Sequence, residues 1–445
     1  MAGAATYQCP NCSGVLSYDV ETGLLTCGFC GSTFAEGELE KAIPIGSVAA
    51  IARPTEHVKT VDEFLKHAPW TEASAHSIGY SCPACGANVV ADQSAVTASC
   101  PFCGNNMVVS GIATQSNIPH WVLPFSVTRE DAEVAMRRHF EHKWYLSRSF
   151  NASLEHMQGV YVPYHLYDIR VSGHADYIAS YVKSRGDAGT EVKYLALSRA
   201  GTALFERIPV DGSSKMPDAH MDAIAPFSLH EMRDFSTSYI AGYLTEVPDE
   251  SAEACFARAE SRAKQSFEDD LRKDVFMTQR VNTMNEIVER ETNAHLEGVS
   301  SCVLPVWLAH CTWNGENMLF AVNGETGKCV GDLPVDSMRR MVTIAVTMLM
   351  AFIIGFGASY LSALGKHNDA IGGNVIFGII TCAIVTFIVD AYLRSQMRTA
   401  EEATTASMSY SGEGLVVTER WDNGEYLRKK SQAREKLDQH KAGLL

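Results

Sequence analysis

The chain has 445 residues, and with 46% hydrophobic and 20% charged residues its composition excludes a disordered or fibrous protein. Its 37 Lys and Arg stand against 52 Asp and Glu, and the formal net charge of −15 argues against a general nucleic-acid coat, because such proteins are basic. The length suits two or three domains. The start of the chain lacks the pattern of a signal peptide, so a reduced, cytosolic setting is expected for the N-terminal part.

Two four-cysteine units lie in the N-terminal region, and each consists of two Cys-x-x-Cys pairs separated by 14 residues. The first unit is Cys9, Cys12, Cys27 and Cys30, and the second is Cys82, Cys85, Cys100 and Cys103. Two such pairs can bring four thiolates together in the tetrahedral arrangement that structural Zn²⁺ prefers. The spacing predicts two structural zinc ions in two small β zinc ribbons, at residues 5–36 and 78–110, joined by a linker at 37–77 that contains a short helix.

Two other interpretations of the cysteines compete with zinc. A thioredoxin-like redox pair requires one Cys-x-x-Cys in a βαβ setting, whereas here two pairs recur at a fixed interval. Rubredoxin-type iron also uses four cysteines, but usually with a longer stretch between the pairs. Because four thiolates leave no open coordination position, catalysis at the metal is not expected.

The charge of the ribbons bears on what they bind. Residues 1–112 carry four cations and ten acidic residues, a net charge of −6, and the ribbons themselves contain no Lys or Arg. Nucleic-acid binding requires cations that displace counterions from phosphates, so it is not expected here and protein–protein contact is favoured. Four aromatic residues either form small ribbon cores or offer a peptide-docking surface: Phe29, Phe34, Tyr80 and Phe102.

Residues 111–338 are predicted to form a cytosolic α+β region. Thr128 has the position of an N-cap for a helix that runs to about Tyr145. A long or broken amphipathic helix is predicted near residues 251–296, followed by a β-meander at 302–332 that turns at Asn314-Gly315 and at Asn323–Gly327.

No catalytic constellation emerges from this region, and the chain is not predicted to be an enzyme. The segment from Gly324 to Lys328 has the wrong spacing for a phosphate-binding loop. His174 and Asp176 alternate on a predicted strand, where a chelating pair is the less favoured interpretation. Cys255 and the other cysteines outside the ribbons lack ligand-pair spacing and are expected to be buried thiols.

Two uncharged stretches, at residues 341–364 and 371–389, predict transmembrane helices 1 and 2. The first would extend for about 36 Å, enough to cross a hydrocarbon core of about 30 Å. The short link between them predicts an antiparallel hairpin, and two buried core helices are the alternative. Basic residues flank both ends of the pair: Arg339, Arg340, Arg394 and Arg398. The positive-inside rule therefore predicts a multi-pass protein of the cytoplasmic membrane with both termini in the cytoplasm.

Residues 390–445 are predicted to form a polar C-terminal tail. From Arg428 onward it has a net charge of +4, which suits either an anionic membrane leaflet or a solvated, partly helical end. The predicted fold class is therefore multidomain: two small β zinc ribbons, a central α+β region and a C-terminal two-helix transmembrane hairpin.

The order of these features resembles a known family. The tandem ribbons are followed by Leu123-Pro124-Phe125, by Val160–Asp168, by Phe320–Gly327 and by Gly331–Pro334 directly before the apolar stretches. This arrangement is similar to the YdjG-like bacterial tandem zinc-ribbon membrane proteins, which are encoded with phage-shock protein A and an SPFH-domain protein in Gram-positive bacteria. The resemblance covers roughly residues 5–390, and only the eight ribbon cysteines carry over as functional residues.

The resemblance implies a membrane-anchored scaffold that recruits cytosolic proteins to the cytoplasmic membrane during envelope stress, with phage-shock protein A-like and SPFH-domain proteins as partners. The alternative is a membrane-tethered zinc-ribbon protein that binds nucleic acid or acts in transcription. The sequence leaves open whether the chain forms a homo-oligomer.

Overall fold

The structure is a computed structural model. It describes residues 9–12, 16–35, 38, 77–81, 88–92, 97–99, 106–108, 119–141, 143–148, 150, 157–184, 190–214, 217–236, 238–245, 248, 250–313, 316–365, 371–397 and 414–444. The backbone alone is described at residues 77–81, 88–92, 97–99, 106–108, 183–184, 190, 310, 312, 316–317, 358–365, 371–378 and 444.

The elements in chain order are β1 (Leu16–Asp19), β2 (Leu24–Cys27), β3 (Thr33–Phe34), β4 (Ser77–Ser81), β5 (Asn88–Asp92), β6 (Thr97–Ser99), β7 (Asn106–Val108), β8 (Trp121–Val122), α1 (Arg129–Phe140), β9 (Gln158–Ser184), β10 (Thr190–Asp211), α2 (Asp218–Ala223), a 3-10 turn (Leu229–Glu231), β11 (Arg233–Asp234), β12 (Leu244–Thr245), α3 (Ala252–Thr278), β13 (Thr283–Trp313), β14 (Glu316–Asn323), β15 (Cys329–Val330), α4 (Ser337–Gly365), α5 (Ile371–Ser395), β16 (Val416–Asp422) and α6 (Lys430–Leu444).

One large sheet organises the molecule, with its main strands in the order β11-β8-β13-β9-β10-β16. The three central strands are antiparallel neighbours and are 31, 27 and 22 residues long. Register shifts at Phe205/Ile208 and Leu296/Gly298 insert extra residues into these ladders. Such bulges bend and twist a strand, and the sheet curls into a half-barrel.

Helix α3 lies against the curled sheet. Ser251 caps its first turn by accepting a hydrogen bond from the Ala254 N–H at 3.2 Å. Apolar and small residues recur along the buried face at helical spacing, from Cys255 and Ala259 to Phe267 and Leu271. This face packs with residues of β9, β10 and β13 into the main core.

The predicted fold class is wrong, because most of the described structure is sheet and not a balanced α+β region between ribbons and a membrane hairpin. The predicted helix near residues 251–296 ends at Thr278, and β13 begins at Thr283. Residues 283–296 contain three Glu and one Arg, which favour helix, but the segment pairs with β9 from Thr283 to Leu296 with two register shifts. Tertiary pairing therefore overrides local propensity.

The predicted two-helix transmembrane hairpin is also not shown. Helices α4 and α5 pack against each other. Among the described side chains, however, only the stretch Ser337–Gly357 is long and apolar enough to cross a membrane, with a mean hydropathy of 1.9. The described side chains of α5 cover residues 379–395, a shorter stretch that includes Asp390 and Arg394.

The end of the chain joins the sheet. Strand β16 pairs with β10, and α6 packs Ala433 and Leu437 onto the sheet beside Ile178 and Ala196. The stacked rings of Trp421 and His440, with centroids 4.0 Å apart, join the strand to the helix. The segment predicted as a polar tail thus contains a docked strand and helix, and residues 398–413 lie outside the described part.

Candidate metal centre

The first four-cysteine unit is built on the three-stranded sheet β1-β2-β3. Cys27 ends β2, and the tight turn after it is closed by two backbone hydrogen bonds of 2.9 Å, from Gly31 N to Cys27 O and from Cys27 N to Ser32 O. Gly31 has a φ of +71°, a conformation that favours glycine. This turn directs Cys30 back towards the other pair, Cys9 and Cys12.

The four sulfur atoms of this unit come together as predicted. All lie within 4.8 Å of one another. The Cys9 and Cys30 Sγ atoms are 3.5 Å apart, as are those of Cys12 and Cys27. A ZnS₄ tetrahedron with Zn–S bonds of about 2.3 Å has sulfur–sulfur edges of about 3.8 Å. The spacing fits one zinc ion, and it is too long for a disulfide, in which the sulfurs are about 2.05 Å apart.

Hydrogen bonds favour the thiolate form of Cys30, which is the form that binds metal. The Ser32 hydroxyl oxygen lies 3.2 Å from the Cys30 sulfur, and hydrogen bonds from the Ser32 side chain and backbone lower the pKa of Cys30 to about 6. The Asn11 amide nitrogen donates to the same Ser32 oxygen at 2.9 Å. Asn11 therefore orients Ser32 towards the sulfur.

The cluster is half enclosed by protein. Cys9 and Cys27 are buried in a small core with Leu16 and Leu25, while Cys12 and Cys30 are exposed. Between the cysteines of the second pair, Phe29 is 83% exposed and stands out from the turn. The ribbon therefore presents an apolar ring to its surroundings beside the metal site.

The first ribbon, formed by β1–β3, is docked on the body of the protein, which is the large sheet with the helices and segments that join its strands. The Tyr18 N–H donates to the Ala241 carbonyl oxygen at 2.9 Å, and the Tyr18 ring meets the Tyr239 ring edge-to-face with centroids 5.3 Å apart. Gly242 has a φ of +93°, and a Cβ added there would lie 3.0 Å from the Ser17 side chain. The absence of a side chain at Gly242 lets the two backbones approach.

The second four-cysteine unit lies outside the described residues. Cys82, Cys85, Cys100 and Cys103 are therefore not located, and neither is a second zinc site. The hairpins β4-β5 and β6-β7 are described on either side of these positions.

The other residues that the sequence singled out have structural roles where they are described. Asp176 forms an ion pair with Lys441 at 2.9 Å. Burial raises the pKa of Cys255 and of Cys329 to about 12, so that both thiols remain protonated at neutral pH. The turn at Gly324 packs on Phe125, where an added Cβ would lie 2.6 Å from the ring.

Sequence reasoning missed three contributors to this site: Asn11 and Ser32, which hold Cys30, and Tyr18, which docks the ribbon. A serine directly after the Cys-Gly-Phe-Cys-Gly turn was a usable signal, because a hydroxyl at that point can reach the preceding sulfur. Docking by Tyr18 had no such signal, because its partners lie more than 200 residues away.

The fold and the cysteine cluster define a sheet-dominated protein with four cysteines placed compatibly with one zinc ion. The chain is 28% identical over 337 residues to the uncharacterized protein YdjG of Bacillus subtilis (strain 168), an alignment that covers 74% of this chain and 90% of YdjG. This similarity supports the YdjG-like resemblance. No protein-family model matches the chain, and no solved structure matches it.

Proposed function

We propose that this chain is a membrane-associated zinc-ribbon scaffold: α4 holds it at the cytoplasmic membrane, and the ribbons contact cytosolic proteins. The observation that carries the proposal is the outward-facing apolar surface of α4 in the same chain as a four-cysteine cluster. Only 11% of the apolar window of α4 is buried, whereas a core helix of a soluble protein is mostly buried. Leu349, Ile353 and Ile354 are each at least 55% exposed, so this surface needs lipid or another apolar partner.

The basic flank of α4 supports a cytoplasmic position for the ribbon and the sheet. Arg339 and Arg340 lie in the first turn, on the side from which the body enters the helix. Positive residues stay on the cytoplasmic side of a span, and the reducing cytoplasm keeps zinc-binding thiolates intact.

The chemistry of the cluster favours a structural role. Four thiolates fill the coordination sphere of Zn²⁺, so no position is left for substrate. The second unit has the same spacing, and we propose that it holds a second structural ion. When bound, zinc would supply folding energy to ribbons whose own cores are small.

The exposed ring of Phe29 supports protein–protein contact. No Lys or Arg occurs between Cys9 and Ala35, so this surface has no cation with which to hold phosphates. An exposed aromatic residue on a rigid turn is typical of an anchor residue at a protein interface. Phage-shock protein A-like and SPFH-domain proteins are the first partners to test, on the strength of the family resemblance.

The test is affinity purification of the full chain from detergent-solubilised membranes of its native cell. Phe29→Ser should remove the co-purifying cytosolic proteins, whereas Met277→Ser should retain them, because Met277 is 84% exposed but lies on α3. Co-purification of nucleic acid that is released by salt would instead support the transcription-linked alternative. A preparation of the wild-type chain without any cytosolic protein would contradict the scaffold.

A further inference from the structure

A cleft of about 980 Å³ opens where the body meets the first turns of α4. One wall is the end of α1 with Arg137, another is the turn after it with Trp144 and Arg148, and the third is α4 with Arg339 and Val342. The volume is that of a site for a ligand of moderate size. It lies at the start of the apolar helix α4, and would therefore face the membrane surface if α4 enters the membrane.

The cleft is positively charged, although the chain as a whole has a net charge of −15. Among the described residues, four cations and one acid line it: Arg137, Lys143, Arg148 and Arg339 against Glu141. These five side chains leave an excess of three positive charges. Such a concentration on an acidic protein attracts an anion.

Two of the cations are held by backbone carbonyl oxygens, which are neutral and do not offset their positive charge. Lys143 donates to the Gln396 carbonyl oxygen at 2.9 Å, and Arg339 donates to the Leu146 carbonyl oxygen at 2.5 Å. Arg137 has an ionic partner, but the pair with Glu133 spans 3.7 Å and Arg137 is 66% exposed, so this partner neutralises it weakly.

Apart from Arg339, the wall formed by α4 is largely apolar. Met338 and Val342 are 66% and 55% exposed, and they continue into the apolar surface of the helix. Trp144 is 63% exposed and is held against the helix by a hydrogen bond from its indole N–H to the Thr343 hydroxyl oxygen at 2.9 Å. Tryptophan is enriched at the membrane–water interface, where one end of the ring meets lipid and the other a polar group.

We propose that this cleft binds the phosphate headgroup of an anionic phospholipid, with the acyl chains lying along α4. The cations recognise the phosphate, and Trp144 with Val342 covers the glycerol and the upper acyl segment. The proposal rests on the membrane association proposed above, and it adds a lipid class to that association.

The test uses the purified full chain in detergent, titrated with short-chain phosphatidylglycerol and with phosphatidylcholine of the same acyl length, and followed by native mass spectrometry. Phosphatidylglycerol should bind about tenfold more tightly or better. Arg137→Gln/Arg148→Gln should weaken its binding by about 25-fold, since each cation near an anionic lipid contributes about fivefold. The control Arg428→Gln/Lys436→Gln changes the net charge equally at exposed positions outside the cleft and should have no effect.

Equal affinity for the two lipids, or an equal loss in the control variant, would overturn the assignment. Displacement of phosphatidylglycerol by the same concentration of inorganic phosphate would show an anion site without preference for lipid, and would also overturn it. Because the titration is done in detergent, it reports on the cleft alone. Release of the chain from membranes by alkaline carbonate would contradict the anchoring role of α4. It would not change the lipid affinity measured in detergent, so the two proposals can fail separately.

Discussion

Asn323 shows how a single side chain can hold a turn together. It is fully buried, and its amide nitrogen donates to the carbonyl oxygens of Ile224 and Pro226 at 3.1 and 3.0 Å. Its amide oxygen accepts from the backbone N–H groups of Glu325 and Thr326 at 2.8 and 2.9 Å. The turn that supported the family resemblance therefore has a structural task, which is to join the end of β14 to the segment after α2.

Replacing Asn323 by Ala should lower the free energy of unfolding by about 2–4 kcal/mol, because four backbone groups around a fully buried side chain would lose their hydrogen-bond partner. Urea unfolding of the full chain in detergent measures this change. Asn293→Ala is the control, because Asn293 is exposed on β13 and should lose less than about 0.5 kcal/mol. Similar losses of unfolding free energy in the two variants would mean that the hydrogen bonds of the buried Asn323 amide do not stabilise the fold more than an exposed amide does.

His165 makes the fold sensitive to acid. It is fully buried on β9, its Nε2 lies 3.0 Å from the Glu250 carbonyl oxygen, and its Nδ1 has no hydrogen-bond partner among the residues that the structure describes. Burial lowers the pKa of His165 to about 4, from 6.5. Between pH 6.5 and 4, His165 therefore binds a proton in the unfolded chain but not in the folded chain. The free energy of unfolding falls as the pH drops through this range.

The wild-type chain should be less stable at pH 5 than at pH 7, with up to about 2 kcal/mol of the difference due to His165. His165→Gln keeps a side-chain donor near Glu250 and should remove that part of the pH dependence. His230→Gln should leave it unchanged, because the His230 side chain is 80% exposed. Urea midpoints at the two pH values give the comparison, and an unchanged difference in His165→Gln would contradict the argument.

At the scale of elements, the ribbon and the sheet are stabilised by different means. Strands β1–β3 share a core of a few residues, of which Leu16 and Leu25 are the apolar members beside Cys9 and Cys27. The strands β9, β10 and β13 form the main core with α3 and contain no residue of the metal site. Metal should therefore control the folding of the ribbon without affecting the sheet.

Removing metal with a chelator should speed amide exchange in β1 and β2 by roughly 100-fold, because the small core cannot hold the ribbon alone. Exchange in β9, β10 and β13 should stay within about twofold, and added Zn²⁺ should restore the ribbon. Hydrogen–deuterium exchange of the full chain followed by mass spectrometry resolves the two regions. Loss of protection throughout the sheet, or none in the ribbon, would contradict this division.

The elements also differ in how well the sequence predicted them. The first four cysteines could be placed together because Cys-x-x-Cys spacing fixes local geometry, and the buried face of α3 could be predicted from Phe267, Leu271 and Val275, which recur at helical spacing. The end of α3 could not be predicted, because the segment after Thr283 becomes a strand only by pairing with β9, more than 100 residues away. Gly173 and Gly298 each lie within a strand where a neighbouring chain segment approaches closely.

For the whole molecule, the junction between the body and the helix pair is a connected polar network. Asp390 on α5 accepts two hydrogen bonds from the Arg340 guanidinium of α4, at 2.9 and 3.0 Å, and one from the Tyr145 hydroxyl at 3.1 Å. Two backbone hydrogen bonds run alongside it, from Leu333 to Met397 and from Asp336 to Tyr145. Helices α4 and α5 are thereby held against the body by side-chain and backbone hydrogen bonds, in addition to the chain connection.

This network gives the last prediction. Asp390→Leu leaves Arg340 and Arg394 without their shared counter-charge, so the melting temperature of the full chain in detergent should fall by about 2–4 °C. Arg340→Met combined with Asp390→Leu should recover part of that fall, because only the more exposed Arg394 then lacks its ionic partner. Arg340→Met, Asp390→Leu and the double variant form a cycle, in which the losses in melting temperature of the two single variants should not add. Additive losses would contradict the role of the Arg340–Asp390 pair and would leave the junction to the Trp144–Thr343 hydrogen bond and the backbone hydrogen bonds.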